Sequence, residues 1–131
     1  TYQSKIFWNK VKNLEFFSST KNNIIKIVIP PSNCVQLLYQ LTFTKLKYYL
    51  DWGGALIWME ACELTEEMFD SIRKKVIKHG GYISMIKPSD HLPYVEEVFT
   101  INMNRFNISQ NIKKSFDPKR ILNPGKMYTG I

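Results

Sequence analysis

Chemically reactive side chains are scarce in this 131-residue chain, which holds two cysteines and two histidines. Cys34 and Cys62 stand far apart, with neither CxxC spacing nor a paired histidine motif, which argues against a zinc site and a disulfide framework. Both read as small buried thiols in a reducing cytosol. His79 closes a helical pattern, where the dipole favours a positive imidazole and a structural role. His91 follows Ser89 and Asp90 in a loop, and nothing marks it as a metal ligand. There is no Ser/His/Asp set with elbow glycines, no phosphate-binding P-loop and no GxGxxG, so a self-sufficient enzyme is hard to build from these residues. Apolar runs such as Ile27 to Pro31 are far shorter than the roughly 20 residues of a membrane span, and no charged-then-apolar leader opens the sequence. The expectation is a soluble, unexported, cytoplasmic protein. Repeats at a solenoid period and low-complexity tracts are also missing.

What the chain does have is apolar mass. Hydrophobic residues make up 44%, with eight Phe, seven Tyr and three Trp, enough for one core in one domain. The net charge of +7 admits nucleic acid or an anionic substrate as partner. Most of it is lysine scattered among Ile, Asn and Tyr, a mix that reads more as codon preference than as a dedicated phosphate-binding face. The first residue is Thr1, not Met, and Tyr2 to Phe17 reads as the continuation of something earlier. Residues 1–131 are therefore expected to be a single domain cut from a larger polypeptide.

Along the chain, Ile6, Phe7, Val11, Leu14 and Phe17 recur at intervals suited to one helix face, which predicts a lead-in helix over Ser4 to Phe17. Ile24 to Ile29 is β-branched and closed by Pro30 and Pro31, a first strand. A helix from Pro31 to about Phe43 should face inward with Val35, Leu38, Tyr39 and Leu41 or Thr42. Leu46 to Leu50 and Ala55 to Ala61 form a hairpin around Asp51, Trp52, Gly53 and Gly54, whose glycines supply positive φ. Thr65 caps a helix with Glu66 and Glu67 in its first turn, Phe69, Ile72 and Val76 buried, Lys74, Lys75 and Lys78 near its end, and Gly80 and Gly81 as its stop. Tyr82 to Ile86 is the last strand. The order is that of a ferredoxin-like βαββαβ motif: an α+β fold with a four-stranded antiparallel sheet and helices on one face. Arg105 to Phe116 adds a tail helix with Ile108, Ile112 and Phe116 on one stripe. Asp117 and Pro118 suit a helix start, and Asn123, Pro124 and Gly125 a tight turn with proline second and glycine third.

Lys114 to Tyr128 reads Lys-Ser-Phe-Asp-Pro-Lys-Arg-Ile-Leu-Asn-Pro-Gly-Lys-Met-Tyr. This closely resembles the C-terminal signature of FAD-linked oxidases of the vanillyl-alcohol oxidase type, which include D-lactate and glycolate oxidoreductases. The stretch Asp51-Trp52-Gly53-Gly54-Ala55-Leu56-Ile57-Trp58, together with His79-Gly80-Gly81 and Pro30-Pro31, looks like the FAD-binding subunit of glycolate oxidase. The resemblance spans about Phe7 to Tyr128. It departs from the pattern in lacking the Glu-His-Gly motif of the metal-assisted relatives, so no metal ligand and no catalytic base is carried over. The FAD domain itself would lie before Thr1.

The resemblance implies a cap over a flavin held by the polypeptide's own N-terminal FAD domain, in a subunit that oxidises a 2-hydroxy acid such as glycolate. Other subunits of a glycolate-oxidase-like complex are the implied partners, and through them a place at the inner face of the membrane. It implies Asn123, Gly125 and Lys126 near FAD, and Lys26, Asp51, Trp52 and Gly53 at the substrate cleft; each also suits a purely structural role in capping or turning. The competing reading is a basic ferredoxin-like nucleic-acid-binding module, which needs exposed aromatics on the central strands. Ile24 to Ile29 has none.

Overall fold

A computed structural model describes residues 2–17, 21–41, 46–89, 98–126 and 128–131. The elements are helix α1 (Tyr2–Lys12), strand β1 (Asn23–Val28), helix α2 (Pro31–Gln40) and strand β2 (Leu46–Asp51). A 3₁₀ turn (Trp52–Gly54) leads to β3 (Leu56–Ala61), α3 (Glu66–Lys78), β4 (Tyr82–Lys87) and α4 (Met103–Phe116). The sheet order is β2-β3-β1-β4, and every neighbouring pair is antiparallel. That is the arrangement expected of the split βαβ motif.

Strand alternation divides the sheet into two faces. Ile25 and Ile27, Ile57, Met59 and Ala61, and Ile83 and Met85 point to one face, where they pack with Leu37 and Leu41 of the α2 end and with Phe69, Ile72 and Val76 of α3. Each large side chain removed from water there contributes roughly 1.5–3 kcal/mol. Helix α3 starts as its sequence demands: the Thr65 hydroxyl accepts from the Met68 N–H at 3.3 Å, and Gly80, at φ +73°, leads the chain out. Gly81 is needed for close approach. A Cβ there would sit 2.8 Å from the Val28 carbonyl oxygen and 2.9 Å from Val76 Cγ1.

Four expectations are corrected. Helix α1 ends at Lys12 instead of reaching Phe17, because Leu14 adopts a left-handed φ of 57°; its apolar side chains Ile6 and Phe7 stay exposed. The inward side of α2 is Cys34, Leu37 and Leu41, with Leu38 partly buried, while Val35 and Tyr39 are 61% and 75% exposed. Cys62 is exposed, although Cys34 is buried as expected. Asp117 and Pro118 do not start a helix: Asp117 is the C-cap of α4. Whatever follows Leu41 as far as Phe43, and the loop with His91, lies outside the described residues.

Candidate functional site

Opposite the core the sheet presents a second face, and its strand registers set side chains into rows. Tyr49 pairs with Trp58, Trp58 with Lys26, and Lys26 with Ser84. Ser84 forms a further antiparallel bridge to Phe99. The central row therefore reads Tyr49, Trp58, Lys26, Ser84, Phe99 across four strands and the 98–100 segment. The Lys26 ammonium lies 5.7 Å from the Trp58 ring centroid, a cation–π distance. Among the described residues it is paired with no carboxylate, so its charge is available to a ligand.

The flanking row is Asp51, Leu56, Val28 and Tyr82. Lys26 and Asp51 thus share a face on strands separated by β3, roughly 10 Å apart at the usual strand spacing. One Asp51 carboxylate oxygen accepts from the Trp52 N–H at 2.7 Å and caps the 3₁₀ turn, in which Gly53 (φ 61°) and Gly54 (φ 92°) are left-handed. The Trp52 side chain projects into solvent. Arg105, from α4, stacks over the Tyr82 ring at 5.2 Å.

The lead-in segment covers the β2 end of this face. Phe17 stacks on Tyr49 at 5.3 Å, the Tyr49 hydroxyl donates to the Val11 carbonyl at 3.2 Å, and Lys47 bonds the Phe16 carbonyl. Burial pushes the Tyr49 pKa up and the Asp51 carboxylate adds to the rise, so this phenol stays protonated near neutrality. It can donate a hydrogen bond but is no general base. The Cys34 thiol is likewise raised by burial, which keeps it unreactive. Among the described residues, no three His, Cys, Asp or Glu side chains are placed to hold a metal ion. No helix among them is long and apolar enough to cross a membrane.

The tail is shaped by one carboxylate. Asp117 accepts from the N–H groups of Ile121 and Leu122, both at 2.9 Å, and pairs with the Lys113 ammonium at 2.8 Å. Lys113 also reaches the Leu122 carbonyl. These hydrogen bonds, with the charge of Lys113, lower the Asp117 pKa to about 2. The reversed chain then makes the turn expected of Asn-Pro-Gly: the Lys126 N–H donates to the Asn123 carbonyl at 3.3 Å and Gly125 takes φ 68°. The Gly125 N–H is used too, on the Ile131 carbonyl at 2.7 Å. What the turn offers outward is the exposed Lys126 ammonium and Asn123 amide.

Among the described residues, no hydrogen bond, ion pair or ring contact joins Asn123, Gly125 or Lys126 to Lys26 or the Asp51 turn. The link between the two groups runs through Tyr128, whose ring meets Phe99 at 6.3 Å, edge to face, at the end of the Lys26 row. Trp58, Tyr49 and Phe99 were not among the expected site residues. The signal for Trp58 was present: period-two alternation in β1 and β3 puts it on the face of Lys26 once the register is known. Phe99 is missed because its pairing to β4 crosses a long connection.

A family model described as FAD linked oxidases, C-terminal domain, matches residues 56–127, more than half of the chain. The match includes Asn123, Gly125 and Lys126 and begins just after the Asp51 to Gly54 turn. No curated protein and no solved structure matches the chain.

Proposed function

Starting from a chain that belongs to the C-terminal domain family of FAD-linked oxidases, we propose that it caps the flavin of an oxidoreductase subunit acting on a 2-hydroxy acid such as glycolate. An N-terminal FAD domain outside this chain holds most of the cofactor, in a glycolate-oxidase-like complex. The observation that carries the reading is the meeting of the signature tail and the Lys26 row at Tyr128 and Phe99.

The residues present fit an anionic, planar cofactor. Lys126 and Asn123 are the groups that would reach it from the tail; Gly125 serves by its left-handed φ, since its N–H is already bonded within the tail. When bound, the flavin supplies the hydride acceptor. The chain's own part is to exclude water and to hold the acid. Leu56 and Ile24 are buried on this face and Trp58 and Val28 half-buried, which gives a low-dielectric surface where a charge pair is stronger than in water. Lys26, steadied over Trp58, pairs with the substrate carboxylate. The Asp51, Trp52 and Gly53 turn forms the rim of the cleft. No residue of this chain is assigned as the base.

Three measurements test this. In the holoenzyme, Lys26→Met raises the KM for the hydroxy acid about tenfold with a smaller change in kcat, and Lys26→Arg recovers part of the loss; an unchanged KM removes Lys26 from the cleft. The chain alone, titrated with FAD, binds weakly. Tight stoichiometric binding contradicts a cofactor held mainly elsewhere. Salt-sensitive, tight oligonucleotide binding by the same chain favours the nucleic-acid reading instead.

A further inference from the structure

The two edges of the sheet are treated differently. Beyond β4 the 98–100 segment pairs with the edge, the Met85 N–H donating to the Val98 carbonyl at 3.1 Å and the Thr100 N–H to the Ile83 carbonyl at 3.2 Å. Beyond β2 no strand is paired among the described residues. An open edge carries unpaired N–H and C=O groups and templates further pairing. This edge is also apolar on both sides. On the core side, Val35 and Tyr39 of α2 and Tyr48 and Leu50 of β2 line a groove of about 590 Å³. On the other side Phe7 and Trp8 of α1 stand exposed beside Tyr49 and Leu50.

The order of charges along β2 identifies an occupant. A two-fold axis perpendicular to the sheet keeps like faces together, so it must pass through a residue position. Centred on Tyr49, it sets Lys47 opposite Asp51 of the other copy, twice, with Tyr49 opposite itself and Tyr48 opposite Leu50. Centred on Tyr48 it sets Lys47 opposite Tyr49, and centred on Leu50 it sets Asp51 opposite Tyr49. Only the Tyr49 register gives both charged residues of β2 an oppositely charged partner within the strand, while keeping apolar residues opposite each other on the groove side. Directly opposed opposite charges and aromatic pairs are the favourable cross-strand combinations.

We propose that two copies of this chain associate through antiparallel pairing of β2 with β2 about Tyr49, joining the two sheets into one of eight strands. Both charged groups retain capacity for the contact. The Lys47 ammonium has three donors and spends one on the Phe16 carbonyl, and the Asp51 carboxylate has acceptor sites beyond the one used by Trp52. The two α2 grooves then meet side by side, which covers Val35 and Tyr39. The interface is isologous and closes on itself, so it stops at two copies. Pairing of this kind does not depend on the flavin reading.

Sedimentation velocity over a concentration series, with circular dichroism as the folding control, tests it. The chain is expected to show a reversible monomer–dimer equilibrium. Lys47→Asp alone and Asp51→Lys alone each turn two attractions into repulsions and raise the dissociation constant about tenfold or more. The double swap restores it to near the starting value. A second readout uses Tyr49→Cys with Cys62→Ser: directly opposed positions lie about 4.5–5.5 Å apart, within disulfide reach, so mild oxidation gives a covalent dimer. A chain that stays monomeric throughout the series overturns the proposal. So does a dimer indifferent to the single reversals, or one whose Tyr49→Cys variant forms no crosslink. If a charge variant does not fold, the crosslink decides.

Discussion

The body from Asn23 to Lys87 and the tail from Asn102 onward are held by opposite means. In the body, three helix-face side chains of α3 are buried against strand residues that are themselves fully covered. In α4 no side chain is buried, and the stripe of Ile108, Ile112 and Phe116 faces solvent. The tail keeps its shape through polar geometry instead: the Asn102 cap on the Arg105 N–H at 2.9 Å, the Asp117 carboxylate on three donors, and the Asn-Pro-Gly turn. The tail is thus ordered by hydrogen bonds while its apolar stripe stays exposed among the described residues. The body is held together by its own core.

The contrast should be plain in stability. Phe69→Ala removes a wholly buried ring and is expected to cost about 3–5 kcal/mol of unfolding free energy, whereas Phe116→Ala, at a side chain 85% exposed, stays within about 0.5 kcal/mol. Denaturant titration of both variants checks it, and a large loss at Phe116 would mean that α4 is part of the core after all. Gly81→Ala probes the same tight body by overpacking. With the Val28 carbonyl and Val76 Cγ1 both under 3.0 Å from the added carbon, about 1–3 kcal/mol should be lost; a neutral result would show that β1 and α3 can part there without penalty.

The tail should respond to pH through a single carboxylate. Asp117 has its pKa lowered from an ordinary 3.8 to about 2, so its carboxylate favours the ordered tail above about pH 4, and that contribution is lost as pH falls through about 2. Protection from amide exchange at Ile121 and Leu122, corrected for the intrinsic pH dependence of exchange, should fall over that window, while protection at Ile25 and Ile57 should not follow it. Asp117→Asn removes the charge, and with it the pH dependence. It should speed exchange at both tail amides at neutral pH, and unchanged protection in the variant would assign the tail's order to the turn alone.

Most of the body was legible in the sequence because its signals are local and agree with one another. β-Branched runs, the Thr65 cap, the paired glycines and the Phe69, Ile72, Val76 stripe all lie within single elements. The face of α2 was misjudged because Val35 and Tyr39 make a plausible stripe of their own, one residue away from Cys34, Leu37 and Leu41. Only packing under the sheet decides between them, and cysteine behaves there as a small hydrophobe. Asp117 followed by Pro118 looks like a helix start, yet the side chain reaches forward to Ile121 and Leu122 from the end of a helix already formed. The row from Tyr49 through Trp58 to Lys26 was only partly legible: Tyr49 and Trp58 face each other across the predicted hairpin, but the step from Trp58 to Lys26 crosses to a strand distant in sequence. Its discovery waits on register, as does the meeting of Phe99 with Tyr128.

In the proposed function the tail and the Lys26 face of the sheet lie against a flavin. Hydrogen exchange of residues 121–126, compared between the flavin-loaded and flavin-stripped holoenzyme, measures this most directly. Slower exchange across that segment in the loaded form is the predicted result; identical exchange in the two forms would contradict it.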